Sequence, residues 1–219
     1  MREFWKKQFE CPMCGTNFDS IKVFSEAVRV ASRDTDLKPN YEGVNPLFFS
    51  LIVCPNCYYT AFEQDFQELP KKLDPEKLVK LKKVLKVAKE KYNIDLSENR
   101  TLDDVIKIYS LAIVVYTLAG DDLKLSELYL RLSWFFREKK DEDREFVAVA
   151  RTIKHLEHAY ENVKNIKDED RIIYLLGELN LKLGRREDAR RWFSKLIEDK
   201  KYSDSSYAKF ARDRMFNLR

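Results

Sequence analysis

The chain has 219 residues, enough for one or two domains with a sizeable core. Its 41 Lys/Arg against 37 Asp/Glu leave a net charge of +4, and 36% of the residues are charged. No run of 18 apolar residues occurs, which excludes a membrane-spanning helix, and five glycines leave little room for phosphate-cradling or dinucleotide-binding loops.

In chain order, residues 1–10 read as a short lead-in, with Phe4, Trp5 and Phe9 available to pack. They contain no apolar run ahead of a small-residue cleavage site, so a cytoplasmic protein is expected. Two stretches of the same spelling follow, Cys11-Pro12-Met13-Cys14 and Cys54-Pro55-Asn56-Cys57, which hold all four cysteines with 39 residues between them. Two thiolates two residues apart on a tight turn grip one side of a tetrahedral metal, and a second such turn completes the site. In a reducing compartment this pattern reads as metal ligands rather than disulfides. Cys11, Cys14, Cys54 and Cys57 are therefore the expected ligands of one structural zinc. Four protein ligands would leave no open position for water or substrate. Iron is the alternative, because four cysteines on C-P-x-C turns also build rubredoxin-like redox sites.

Asn17 to Ser20 reads as a turn behind Gly15. Ser25 to Asp34 reads as a strand from its alternation of Val28, Val30 and Ser32 with Arg29, Ala31 and Arg33. Pro39, Asn40, Gly43, Asn45 and Pro46 make the next stretch a loop, and Leu47 to Val53 reads as the strand that delivers the second hook. Arg33, Asp34 and Asp36 are expected to pair and cap the loop between the hooks rather than to form a site of their own.

Past Pro70 the pattern becomes helical, which places a domain boundary near residues 67–74. Asp74 and Pro75 open the first helix, and Leu78, Leu81, Leu85, Ala88 and Tyr92 recur at helical spacing. Thr101 with Asp104 resembles a capping box, and Gly120 ends that helix. Further helices are expected at 122–139, 142–164, 169–183, 186–199 and 204–218, with Gly184 a C′ residue. Gly177, Gly184, Ala189 and Phe193 carry the skeleton of a tetratricopeptide helix pair, and Tyr109, Ile113, Tyr116, Gly120, Leu125 and Tyr129 repeat it loosely. A plain helical bundle is the other reading of the same periodicity.

These motifs carry a family resemblance. Cys11-Pro12-Met13-Cys14-Gly15, Arg33-Asp34-Thr35-Asp36, Tyr41, Asn45-Pro46, and Val53-Cys54-Pro55-Asn56-Cys57 with Ala61 and Phe66 resemble the bacterial family filed as domain of unknown function 2225. In that family a glycine usually follows the second hook, where this chain has Tyr58. The resemblance implies a zinc-ribbon-like module fused to tetratricopeptide-like helices, and it brings no activity. The expected fold is mainly α, with a small β-containing four-cysteine zinc module over 1–68 and a helical-repeat domain over 69–219.

Three other features bear on function. His155 and His158 share a helix face without an evident third ligand, and read as surface histidines. Lys71 to Lys91 holds nine lysines against three acids, a basic face open to nucleic acid yet more simply a solvated one. Residues 1–66 carry −2 before any thiolate is counted and the remainder +6, which speaks against a phosphate-binding ribbon. It also suggests that the halves dock through Arg190 and Arg191. The function expected is a protein–protein interaction or scaffold protein. Its partner is a protein or peptide in a helical groove near Tyr174, Glu178 and Lys182, with a nucleic-acid-associated regulator as the alternative. No enzyme constellation is evident.

Overall fold

The structure is a computed structural model that describes residues 3–218. The N-terminal third is built from three antiparallel hairpins: β1 (Phe4–Glu10) with β2 (Asn17–Val23), β3 (Arg29–Arg33) with β4 (Pro39–Glu42), and β5 (Leu51–Val53) with β6 (Thr60–Phe62). A short helix α1 (Leu69–Lys72) leads into α2 (Pro75–Lys91), α3 (Leu102–Ala119), α4 (Asp122–Glu138), α5 (Glu142–Asn162), α6 (Glu169–Lys182), α7 (Arg186–Glu198) and α8 (Ser206–Phe216). From α2 onward, consecutive helices are packing neighbours, and α8 also folds back onto α6.

The helices begin and end where their local signals put them. Asp74 accepts from the Lys77 N–H at 2.8 Å. Thr101 and Asp104 close both arms of a capping box, at 3.2 and 3.1 Å. Gly120 and Gly184 take φ of 72° and 74° as the chain leaves α3 and α6.

The β segments differ from expectation. The lead-in and the Asn17–Ser20 turn are in fact paired strands, Phe4 opposite Val23 and Glu10 opposite Asn17. Phe4 and Phe9 lie an odd number of residues apart, so they point to opposite faces and leave no period-two signal. Phe4 packs on Phe49 and Phe9 on Phe18 and Phe66. Residues 25–27 form a 3₁₀ turn rather than strand. So do Pro46–Phe49, where Pro46 starts the turn and the Asn45 side chain accepts from the Leu47 N–H at 3.0 Å.

One apolar cluster joins the hairpins to the first helices. It runs from Leu51, Ile52, Tyr59 and Phe66 through Leu69 and Leu73 to Leu81, Leu85, Tyr109, Tyr116 and Phe135. Hydrogen bonds cross the same junction. Tyr116 Oη accepts from the Phe62 N–H at 3.1 Å and donates to Asp65 at 2.6 Å, and Tyr109 Oη donates to the Leu47 carbonyl at 2.9 Å. Arg190 and Arg191 take no part, because they pair with Glu187 and Asp188 one turn away on α7. Lys89 of α2, Arg100 just before α3, and Lys124 and Arg131 of α4 reach the N-terminal third instead.

Helices α6 and α7 approach closely at Gly177. A Cβ built there would lie 2.2 Å from Cε1 of the fully buried Phe193 ring. Gly177→Ala is therefore expected to destabilise the chain by about 2 kcal/mol, overpacking outweighing the better helix propensity of alanine. Urea unfolding reads this directly, and a variant as stable as the parent would show that the ring can yield.

Candidate metal centre

Each cysteine hook is a loop between two hairpin strands. In the first, Cys11 N–H donates to the Thr16 carbonyl at 2.9 Å and Gly15 N–H to the Cys11 carbonyl at 2.8 Å. In the second, Cys54 N–H donates to the Tyr59 carbonyl and Tyr58 N–H to the Cys54 carbonyl, both at 2.9 Å. Gly15 sits at φ 70° and Tyr58 at φ 60°, so the two turns match even though one of them holds a tyrosine in the left-handed region.

Burial compensates Tyr58. Its side chain is 2% exposed, Lys89 lies 4.2 Å over the ring, and its hydroxyl donates to the Tyr92 carbonyl at 3.2 Å and accepts from the Ile94 N–H at 3.3 Å. Tyr58→Gly would relieve a left-handed cost of about 1–2 kcal/mol. It would also remove a buried aromatic side chain worth about 3–5 kcal/mol. A net loss of about 2 kcal/mol is expected in urea unfolding of the metal-loaded protein. A gain would mean that backbone strain dominates.

The four sulfurs lie within 4.8 Å of one another, with Cys11–Cys57 and Cys14–Cys54 separations of 3.6 Å. Metal–sulfur bonds of about 2.3 Å in a tetrahedron put the sulfurs about 3.8 Å apart. A disulfide needs about 2 Å, and all four cysteines are free. The donor set therefore fits one metal ion, and no histidine or carboxylate joins it among the described residues. Cys11 and Cys54 are buried, Cys57 is half-buried and Cys14 is exposed.

The thiols interact strongly. Hydrogen bonding from Cys11, then from Cys57, draws Cys54 down to about 2, and the same Cys54 contact pushes Cys11 up to about 12. Cys57 is also pushed up, first by Cys11 and then by Cys54. Like charges this close resist joint ionisation unless a cation compensates them. At Cys14 burial opposes ionisation, but the Thr16 hydroxyl, its N–H and the Asn56 amide outweigh it, and the thiol is shifted down. Asn56 Nδ2 lies 3.6 Å from Cys14 Sγ and donates to Thr16 Oγ1 at 3.1 Å, tying the second turn to the first.

Helix α2 covers one side of the centre. Lys89 Nζ donates to the Pro55 carbonyl at 2.9 Å. Beside this contact runs an open groove of about 440 Å³, floored by Met13 and Leu85, rimmed by Lys82, Lys86, Lys89 and Glu90, and reaching Cys14 and Cys57.

The other candidate residues fall elsewhere. Asp34 and Asp36 do meet an arginine, but it is Arg137 of α4 and not Arg33. Its Nη1 donates to Asp34 at 2.8 Å, its Nη2 pairs with Asp36, and its Nε donates to Glu145 at 2.8 Å. No local signal marks a contact across more than one hundred residues. His155 and His158 each place Nδ1 on the Asp122 carboxylate, at 2.6 and 2.7 Å, and His155 stacks on Tyr129. They fix α5 to the start of α4. The face bearing Tyr174, Glu178 and Lys182 is not a free groove. Tyr174 packs on Tyr207 and Phe210, Glu178 accepts from Arg214 at 2.6 Å, and Lys182 pairs with Glu145 at 2.7 Å. Helix α8 covers that face.

Comparison with known proteins adds a family without an activity. A family model described as an uncharacterised protein conserved in bacteria matches residues 4–218. An uncharacterised protein of Borreliella burgdorferi is 26% identical over 155 residues, which cover 64% of this chain and 55% of that protein. The chain thus spans little more than half the length of the curated relative it matches. No solved structure matches it.

Proposed function

Because the chain belongs to this family of uncharacterised conserved bacterial proteins, we propose from its own site that it is a zinc-stabilised protein–protein interaction protein. The zinc would be held by Cys11, Cys14, Cys54 and Cys57. The observation that carries this is the four-sulfur cluster, which spends every tetrahedral position on protein and keeps none for substrate. Free thiols in this arrangement suit a reducing compartment such as the cytoplasm. The proposal keeps residues 1–68 as the metal module and 69–219 as the helical part. It reads the helices as tetratricopeptide-like, a reading supported by Gly177 against Phe193 with Ala189 buried beside them.

The partner surface is the groove beside the metal, and its occupant is an acidic segment of a second protein. The apolar floor would take side chains, and Lys82 and Lys86, in excess of the single rim acid Glu90, would pair with carboxylates. A photo-crosslinking residue at position 86 in the native bacterium tests this, with position 164 as the control. One acidic protein attached from position 86 alone, and lost with Lys82→Glu, is the expected result. Adducts equal at both positions, or adducts that nuclease removes, would overturn it, the latter in favour of the nucleic-acid reading.

Iron is the second reading, favoured by the equivalence of the two turns at Gly15 and Tyr58 and by the exposed Cys14. Elemental analysis with a visible spectrum separates the two. One zinc per chain without visible absorbance supports the structural site, whereas one iron with thiolate charge-transfer bands makes the protein an electron carrier.

A further inference from the structure

A second cavity, of about 450 Å³, opens where the loop between the hooks meets α4, α6 and α8. Its wall carries Arg33, Arg131 and Arg171 together with Tyr41, Tyr207 and Trp134. The volume lies within the roughly 300–1,000 Å³ usual for small-molecule sites. Leu37, Leu47 and Leu130 give it an apolar side.

Its electrostatics are one-sided. Glu127 is the one carboxylate on the wall, and it pairs with Arg131. Arg131 is further held by Ser50 Oγ at 2.9 Å and Tyr109 Oη at 3.3 Å, which fixes its guanidinium in place. The wall therefore offers Arg33 and Arg171 no acid. Three guanidiniums against one carboxylate leave +2 in a partly enclosed space, where charge acts more strongly than in open water.

One local cost falls on the same wall. The indole N–H of Trp134, a residue 5% exposed, is the one buried polar side-chain atom without a partner among the described residues. A buried donor left unpaired carries an uncompensated desolvation cost, which a ligand acceptor in the cavity would offset.

We propose that this cavity binds a small phosphorylated molecule with an apolar or planar body, the phosphate lying between Arg33, Arg131 and Arg171. Charge decides the class. A phosphate monoester carries about −1.5 to −2 at neutral pH and matches the +2 of the wall, whereas a carboxylate supplies half of that. Guanidinium forks also suit phosphate oxygens in a bidentate manner. Tyr41, Tyr207 and the leucines are placed to enclose the body. The site is separate from the metal centre and does not depend on the interaction reading above.

Calorimetric titration of the full chain with phenyl phosphate tests the proposal, with benzoate as the carboxylate probe of similar body. Binding is expected for phenyl phosphate, weakened about tenfold or more in the Arg33→Gln/Arg171→Gln double variant. The melting temperature of that variant should be unchanged. The indole resonance of Trp134, assigned with Trp134→Phe, should shift on titration while that of Trp5 on β1 stays. Benzoate binding as tightly as phenyl phosphate, undiminished binding by the double variant, or no heat from either probe would each overturn it.

Discussion

Cys54→Ser should release the metal and unfold the N-terminal hairpins, and the loss should spread into α2 and α3. Cys54 is fully buried and belongs to the apolar cluster that continues through Leu81, Leu85, Tyr109 and Tyr116. A module of about 60 residues buries only about 60% of its chain surface and is marginal by itself. Structural zinc contributes roughly 10–16 kcal/mol of apparent binding energy in small zinc domains. That is of the same size as the about 5–15 kcal/mol by which a typical domain is stable. A fall in melting temperature well beyond that of any surface variant is expected, and a strong chelator should reproduce it in the parent. Protection of α2 amides from hydrogen exchange should fall with it. A metal-free Cys54→Ser protein with unchanged melting would show that the helices hold the hairpins without the ion.

The second large effect is expected at Arg137. It holds Asp34 and Asp36 from the loop between the hooks and Glu145 from α5, and the side chains of Asp36 and Glu145 are each 7% exposed. Arg137→Met removes the charge while keeping much of the volume. It leaves the Asp36 carboxylate buried with only the Lys38 backbone N–H, at 3.4 Å, while Glu145 retains Lys182. Losing one partner of a buried pair costs about 3–5 kcal/mol, far above the value of an exposed ion pair. Urea unfolding should register a loss in that range. Asp36→Asn in the Arg137→Met background should recover part of it, because the stranded charge is then gone. A loss below about 1 kcal/mol would mean that water reaches the carboxylates and that the pair behaves as a surface one.

These two sites show the two ways in which the chain could and could not be read. The cysteine cluster was legible because each hook is local. Two cysteines with a proline between them specify a turn within four residues, and their repetition specifies the partner turn. The helices were legible for the same reason. Asp74, Thr101 with Asp104, Gly120 and Gly184 act within one turn of their own helix, so their effect does not depend on what packs nearby.

Reading failed where the physics is not local. The hairpin of β1 and β2 hides because Phe4 and Phe9 serve different neighbours on opposite faces. Tyr58 takes the backbone of a glycine because burial among α2 side chains compensates the strain, and no rule of turn chemistry anticipates that. Arg33 beside Asp34 suggested a pair, whereas Arg137 won both carboxylates because α4 brings its guanidinium in at the right depth. The face of Tyr174 and Glu178 looked like a groove until α8 folded back over it. Sequence by itself determined the cysteine cluster, the seven long helices and the caps at Asp74, Thr101, Gly120 and Gly184, since those rest on interactions spanning a few residues. The closed helical face, the Arg137 node and the arginine-lined cavity were decided only by tertiary structure. Each joins residues far apart in the chain, whose energies depend on burial and distance that no spacing along the chain encodes.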